Sequence, residues 1–124
     1  MIKDPVINRE ILISIFKSFI GPLVINVDSP SNFELKGNIE AQQGAKTVDG
    51  FYFSSIKPKE KDVRLYFFPI YTHPKEFELS EQLNKFLKGK SCFHIKYLDA
   101  SLEKEIKAMV KKAIKVYKKH GLIK

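Results

Sequence analysis

Residues 51–70, Phe51-Tyr52-Phe53-Ser54-Ser55-Ile56-Lys57-Pro58-Lys59-Glu60-Lys61-Asp62-Val63-Arg64-Leu65-Tyr66-Phe67-Phe68-Pro69-Ile70, decide the fold. Phe51–Phe53 and Arg64–Phe68 are the aromatic-rich runs that favour strands, and the charged segment Lys57–Asp62 is the turn between them. Successive side chains of a strand point to opposite faces. One face of this hairpin then carries Phe51, Phe53, Val63, Leu65 and Phe67. The other carries Tyr52, Ile56, Tyr66, Phe68 and Ile70. Both faces read as apolar, so the expectation is a sheet covered on both sides by helices, a partner chain or a ligand. The Tyr52/Tyr66/Phe68 side is expected to border the best pocket or a two-fold interface.

Working outward, Ile7, Ile11, Leu12, Ile15, Phe16, Phe19 and Ile20 recur at helical spacing until Gly21-Pro22 stops them. Residues 1–4 read as loose. Leu23–Val27 and Phe33–Lys36 are short strands around the turn residues Asp28-Ser29-Pro30-Ser31-Asn32, and Gly44 lies in the next turn. Ser80 caps a short helix facing inward through Leu83, Phe86 and Leu87, with Gly89 as its left-handed stop. Cys92–Tyr97 is a last strand. Asp99 caps a long final helix with core face Leu102, Ile106, Met109, Val110, Ala113 and Tyr117, closed by Gly121. Strands in one block flanked by helices predict an α+β fold: a mainly antiparallel sheet of about five strands with an N-terminal, a short and a long C-terminal helix. Residues 1–124 read as one domain, long enough to bury a core without staples.

The chain carries 22 Lys and Arg against 14 Asp and Glu, a net charge of +8. Such a surface serves solubility or marks a phosphate-bearing partner. Lys104, Lys107, Lys111, Lys115 and Lys118 repeat every three or four residues along the last helix, a ridge about 21 Å long at 1.5 Å per residue. This is the candidate anion-binding ridge. Acids in the first turns and lysines toward the C-terminus are also what the helix dipole favours. The ridge lacks aromatics for base stacking and arginines for bidentate base contacts, so a solvated face is the leading reading and nucleic acid ranks low among the partners.

In Lys90-Ser91-Cys92-Phe93-His94-Ile95-Lys96-Tyr97, alternation puts Cys92, His94 and Lys96 together, opposite Phe93, Ile95 and Tyr97. A thiol between His and Lys can be activated, and Cys-x-His can supply two metal ligands. A closed site needs about four, and His73 and His120 stand isolated in sequence. A structural cysteine is therefore the leading reading, with no metal and no cofactor. Tyr52, Tyr66, Tyr71 and Tyr97 suit a surface apolar in body and polar at its tip. Gly44, Gly50 and Gly89 make no phosphate-binding spacing. With one cysteine and no signal peptide, the chain reads as cytoplasmic. The stretch from Ile11 to Val27 is too interrupted to span a membrane.

The segments Tyr66–Pro74 and Lys88–Lys96 resemble the YdhG-like domain-of-unknown-function family (family number 1801). Asp49–Ser55 looks like that family's central strand, and Lys118–Ile123 like its closing turn. The resemblance covers roughly residues 23–123. It implies a small cytoplasmic bacterial α+β domain with no assigned catalytic residues. A frataxin-like iron-carrier role suggested within the family is one alternative, although iron sites want clustered carboxylates and this chain is basic. The function expected from the residues is a non-catalytic ligand-binding or interaction module. Its working surface would be Tyr52, Tyr66, Phe68 and Tyr71 beside Lys90, Ser91, Cys92, His94 and Lys96. Its partner would be a small molecule with an apolar body and an anionic group, or a second copy of the chain.

Overall fold

The first helix begins where the Asp4 side chain accepts the Val6 amide at 2.9 Å, with Pro5 in the first-turn position that needs no amide of its own. In the computed structural model, which describes residues 1–124, this helix α1 runs Pro5–Lys17. It ends before Phe19 and Ile20 because Ser18 turns its amide back onto Ser14 and Ile15. Residues 1–4 are not loose: Ile2 and Leu98 exchange two backbone hydrogen bonds, at 2.7 and 2.9 Å.

Strands β1 (Leu23–Ser29) and β2 (Asn32–Gly37) form the first hairpin. A small separate hairpin follows, β3 (Ala41–Gln43) and β4 (Lys46–Val48), turning at Gly44. It was not anticipated from sequence. Then come β5 (Tyr52–Pro58) and β6 (Val63–Phe67), the hairpin expected in the aromatic stretch. A one-turn helix α2 (Pro69–Thr72), a 3₁₀ turn (Pro74–Glu76) and helix α3 (Glu81–Phe86) lead to β7 (Leu87–Lys88), β8 (Cys92–Ile95) and helix α4 (Ala100–Lys119). The main sheet has six strands, one more than expected, in the order β1-β2-β5-β6-β8-β7, and every neighbouring pair is antiparallel. The fold is α+β.

Ser80 caps α3 by accepting the Leu83 amide, and Asp99 caps α4 by accepting the Leu102 amide at 2.8 Å. Gly89 is not the helix cap expected of it. The chain leaves α3 directly into β7, and Gly89, at φ +76°, turns the β7–β8 hairpin instead. Leu87 therefore pairs with Phe93 in the sheet rather than extending α3. β8 ends at Ile95, two residues early; Tyr97 packs edge-on against Phe86 at 5.0 Å.

One irregularity sets the character of the sheet. Leu35 pairs with Ser54 but Lys36 pairs with Tyr52, so Phe53 is an extra residue bulged out of register. Phe53 and Ser54 are consecutive, yet both are fully buried. Beyond the bulge the alternation is inverted. Ile56 pairs with Leu65 and lies in the core, not beside Tyr52 as simple alternation predicts. Phe68 and Ile70 leave the strand altogether at Pro69. The second face of the sheet is therefore not apolar. It carries Glu34, Tyr52, Ser55, Arg64, Tyr66, Cys92 and His94, all half-buried except the buried Ser55. The demand for cover on both sides disappears.

The core is one contiguous cluster on the other face, into which α1 and α4 pack. Leu102, Ile106, Val110, Ala113 and Tyr117 of α4 are fully buried, as the helical spacing requires. Tyr117 meets Phe51 and Phe53 edge-to-face at 5.3 and 5.8 Å, and Phe53 meets Phe67 the same way at 5.4 Å. Side chains of this size stabilise by about 1.5–3 kcal/mol each when fully buried. No helix is long and apolar enough to cross a membrane.

Candidate functional site

The bulge that buries Phe53 turns Tyr52 outward, and the break at Pro69 swings the chain beside it. Together they align Tyr52, Phe68 and Tyr71 in one row. Tyr52 lies 5.3 Å from Phe68, and Phe68 stacks on Tyr71 at 5.5 Å with 23° between the planes. The Lys90 ammonium stands 5.8 Å from the centre of the Tyr71 ring. Tyr71 is half exposed, although large apolar rings in small domains are mostly covered. A groove of about 740 Å³ opens beside it, lined by Ile70, Tyr71, Pro74, Phe77, Glu78, Leu79, Asn84, Leu87, Gly89 and Lys90. Tyr71 and Lys90 thus border the largest groove, whereas Tyr52, Tyr66 and Phe68, the residues expected there, do not line it.

Tyr52 is the polar end of this aromatic row. Its hydroxyl donates to Ser55 Oγ at 2.6 Å, Ser55 donates to Glu34 at 3.3 Å, and Asn26 donates to the other Glu34 oxygen at 2.6 Å. Burial dominates its acidity and pushes the phenol up to about 12. Tyr52 is therefore a fixed neutral donor, not an acid–base group.

A second group occupies the same open face. Register places Glu34, Ser55, Tyr66, Cys92 and Lys88 side by side across five strands, with Arg64 opposite His94 in the next row. Burial pushes the Cys92 thiol up, against a smaller opposing effect of its hydrogen bond with Tyr66. Desolvation pulls His94 down, helped by the Arg64 charge, so it favours the neutral imidazole. Arg64 itself is held by Asp62 at 2.8 Å. His94 and Lys96 do not activate the thiol, and Lys96 projects into solvent past the strand end. Ser91 sits half-buried in the β7–β8 turn, its carbonyl accepting the Phe67 amide at 2.8 Å. The face thus presents hydrogen-bonding side chains in two adjacent rows.

The lysine ridge forms as the spacing predicts. Lys104, Lys107, Lys111, Lys115 and Lys118 are exposed, and none makes an ion pair. Lys112 and Lys119 widen it, and a shallow groove runs between Lys111, Lys112 and Lys115.

Two residues that look isolated in sequence are brought together. His73, between α2 and the 3₁₀ turn, and His120, at the end of α4, have ring centres 4.4 Å apart. The two stand far apart in sequence, so only the docking of α4 against α2 reveals the pair. No three His, Cys, Asp or Glu side chains anywhere gather closely enough to enclose a metal ion. No family model, curated protein or solved structure matches the chain.

Proposed function

We propose that this protein is a non-catalytic binding module, and that the lip formed by Tyr71, Phe68 and Lys90 is where it takes its ligand. The observation that carries this reading is the half-exposed Tyr71, stacked on Phe68 beneath and facing the Lys90 ammonium, at the mouth of the largest groove. Phe68 stacks on the ring and the Lys90 ammonium stands over it, so a planar apolar group would enter at the exposed edge of Tyr71, an aromatic contact worth about 0.5–1.5 kcal/mol beyond area burial. Lys90 pairs with no carboxylate and suits an anionic substituent on the same molecule. Ile70, Phe77, Leu79 and Leu87 give the apolar floor. The ligand class is a small aromatic or planar acid.

The basic α4 ridge favours a phosphate-bearing partner as the second reading, since seven lysines there are exposed and free of ion pairs. A frataxin-like iron role, implied as an alternative by the YdhG-like resemblance, finds no carboxylate cluster to support it. Placement in the cytoplasm is supported by the single free Cys92.

Titrating ¹⁵N-labelled protein with a panel of aromatic carboxylates, and with the matching neutral amides, tests the leading reading. Shifts should concentrate at Tyr71, Leu87 and Lys90 for the acids. Lys90→Ala should remove the preference for acids over amides, and Tyr71→Ala should weaken both. Shifts spread along α4 instead would favour the second reading, and no saturable shifts anywhere would sink the first.

A further inference from the structure

We propose that His73 and His120 form a binding site for a borderline transition-metal dication of the Cu²⁺, Ni²⁺ or Zn²⁺ class. The site is independent of the aromatic lip, although Pro74 borders both clefts.

The two imidazoles are already oriented. His120 Nδ1 lies 2.9 Å from the Val116 carbonyl. A carbonyl can only accept, so the neutral ring carries its proton on Nδ1 and presents the Nε2 lone pair. His73 Nδ1 lies 2.8 Å from Thr72 Oγ1. That hydroxyl also lies 3.3 Å from the Pro69 carbonyl and 3.2 Å from the buried Tyr117 hydroxyl. With Nδ1 donating to that hydroxyl, Nε2 is again the free end. Imidazoles that ligate metals are held in this way, with the second nitrogen donating to a carbonyl or hydroxyl that fixes tautomer and ring plane. Here both rings have that support, their centres are 4.4 Å apart, and both line an open cleft of about 400 Å³. One ion taken by both Nε2 atoms would be held by metal–nitrogen bonds of about 2.0–2.1 Å.

The surroundings decide the kind of ion. Lys75 and Lys119 line the cleft with Glu76, so the local field does not gather hard cations such as Mg²⁺ or Ca²⁺. Binding must come from nitrogen–metal bonds, which rank copper and nickel above manganese and iron. No third imidazole, thiolate or carboxylate completes a closed set. The remaining positions fall to water, so the ion is exchangeable and open to an external donor.

The test is Cu²⁺ added in substoichiometric steps to ¹⁵N-labelled protein in a non-chelating buffer at neutral pH. Paramagnetic broadening should centre on Thr72, His73, Lys119 and His120. The copper spectrum should show two nitrogen ligands from imidazole. His120→Gln removes an exposed ring at the end of a helix and should leave the fold intact, as its amide spectrum will show. It should weaken Cu²⁺ binding by at least the tenfold that loss of even a supporting partner costs a metal site. His73→Gln should do the same, and His94→Gln should change nothing. Broadening centred on Cys92 and His94, unchanged affinity in His120→Gln, or no saturable binding would each overturn the proposal.

Discussion

Two adjacent serines in β5 make opposite demands on the fold. Ser54 lies on the core side of the bulge, fully buried, and its hydroxyl has no partner. Leaving a buried hydroxyl unpaired costs about 1–3 kcal/mol. Ser54→Ala should therefore raise the urea midpoint or leave it unchanged. Ser55, on the open face, bridges Tyr52 and Glu34. Ser55→Ala should lower stability by about 1 kcal/mol, the usual net worth of a hydrogen bond. Cys92 supplies a second check. Because burial raises its pKa and Tyr66 partly opposes that, its thiolate forms only above the free-thiol value of about 8.5. A maleimide labelling profile should rise on the alkaline side of that value, and Tyr66→Phe should shift it further up. A profile rising near neutrality would reinstate an activated thiol. At this scale the sequence was informative where one residue has one dominant role: the Asp99 and Ser80 caps could be read from the chain. Tyr71, Phe68 and Lys90 could be assigned to one surface, but their geometry could not. The stack of Tyr71 on Phe68 depends on the chain turning into α2 at Pro69, and an alternating pattern carried past that proline puts Phe68 and Ile70 in the wrong element.

At the scale of elements, α4 is the case in which local pattern and final structure agree throughout. Its apolar spacing, its cap at Asp99 and its stop at Gly121, φ +73°, all appear where the chain predicts them. The helix could be read because its amphipathic period is uninterrupted over its whole length. β5 is the opposite case. A bulge adds one residue and inverts every side chain beyond it, and nothing in Phe53-Ser54 announces it, so the assignment of Ile56 to the Tyr52 face failed. The lysine ridge permits a quantitative test. Reversing the charges at Lys107, Lys111 and Lys115 should leave the thermal midpoint nearly unchanged, since these residues project away from Ile106, Val110 and Ala113. Wild-type binding to random duplex DNA should be no tighter than about 10⁻⁴–10⁻⁶ M at physiological salt, as for non-specific electrostatic binders. Tighter binding, lost in the triple variant, would promote the ridge above the aromatic lip.

At the scale of the whole molecule, the sheet is covered by helices on one side and by its own half-buried side chains on the other. The expectation of a doubly covered sheet failed for two reasons, the bulge in β5 and the chain's departure from β6 at Pro69. The fold class survived because it rests on the number and order of elements rather than on any one register. The pairing of His73 with His120 was illegible for the complementary reason, that tertiary docking alone brings the ends of α2 and α4 together. The two edges of the sheet differ as well. β7 is two residues long, followed at once by Gly89 and Lys90, whereas β1 spans seven residues and leaves Val24 and Ile25 more than a third exposed. A monomer with one adhesive side and one blunt side cannot build a chain. Two copies joined β1 to β1 about a two-fold axis would use up the adhesive side of both and turn only blunt ends outward. When the protein is warmed toward unfolding and cross-linked, the product should accumulate as a pair with no ladder of higher species. Val24→Lys should suppress even the pair, and a ladder of higher species would show that strand addition does not stop at the first step.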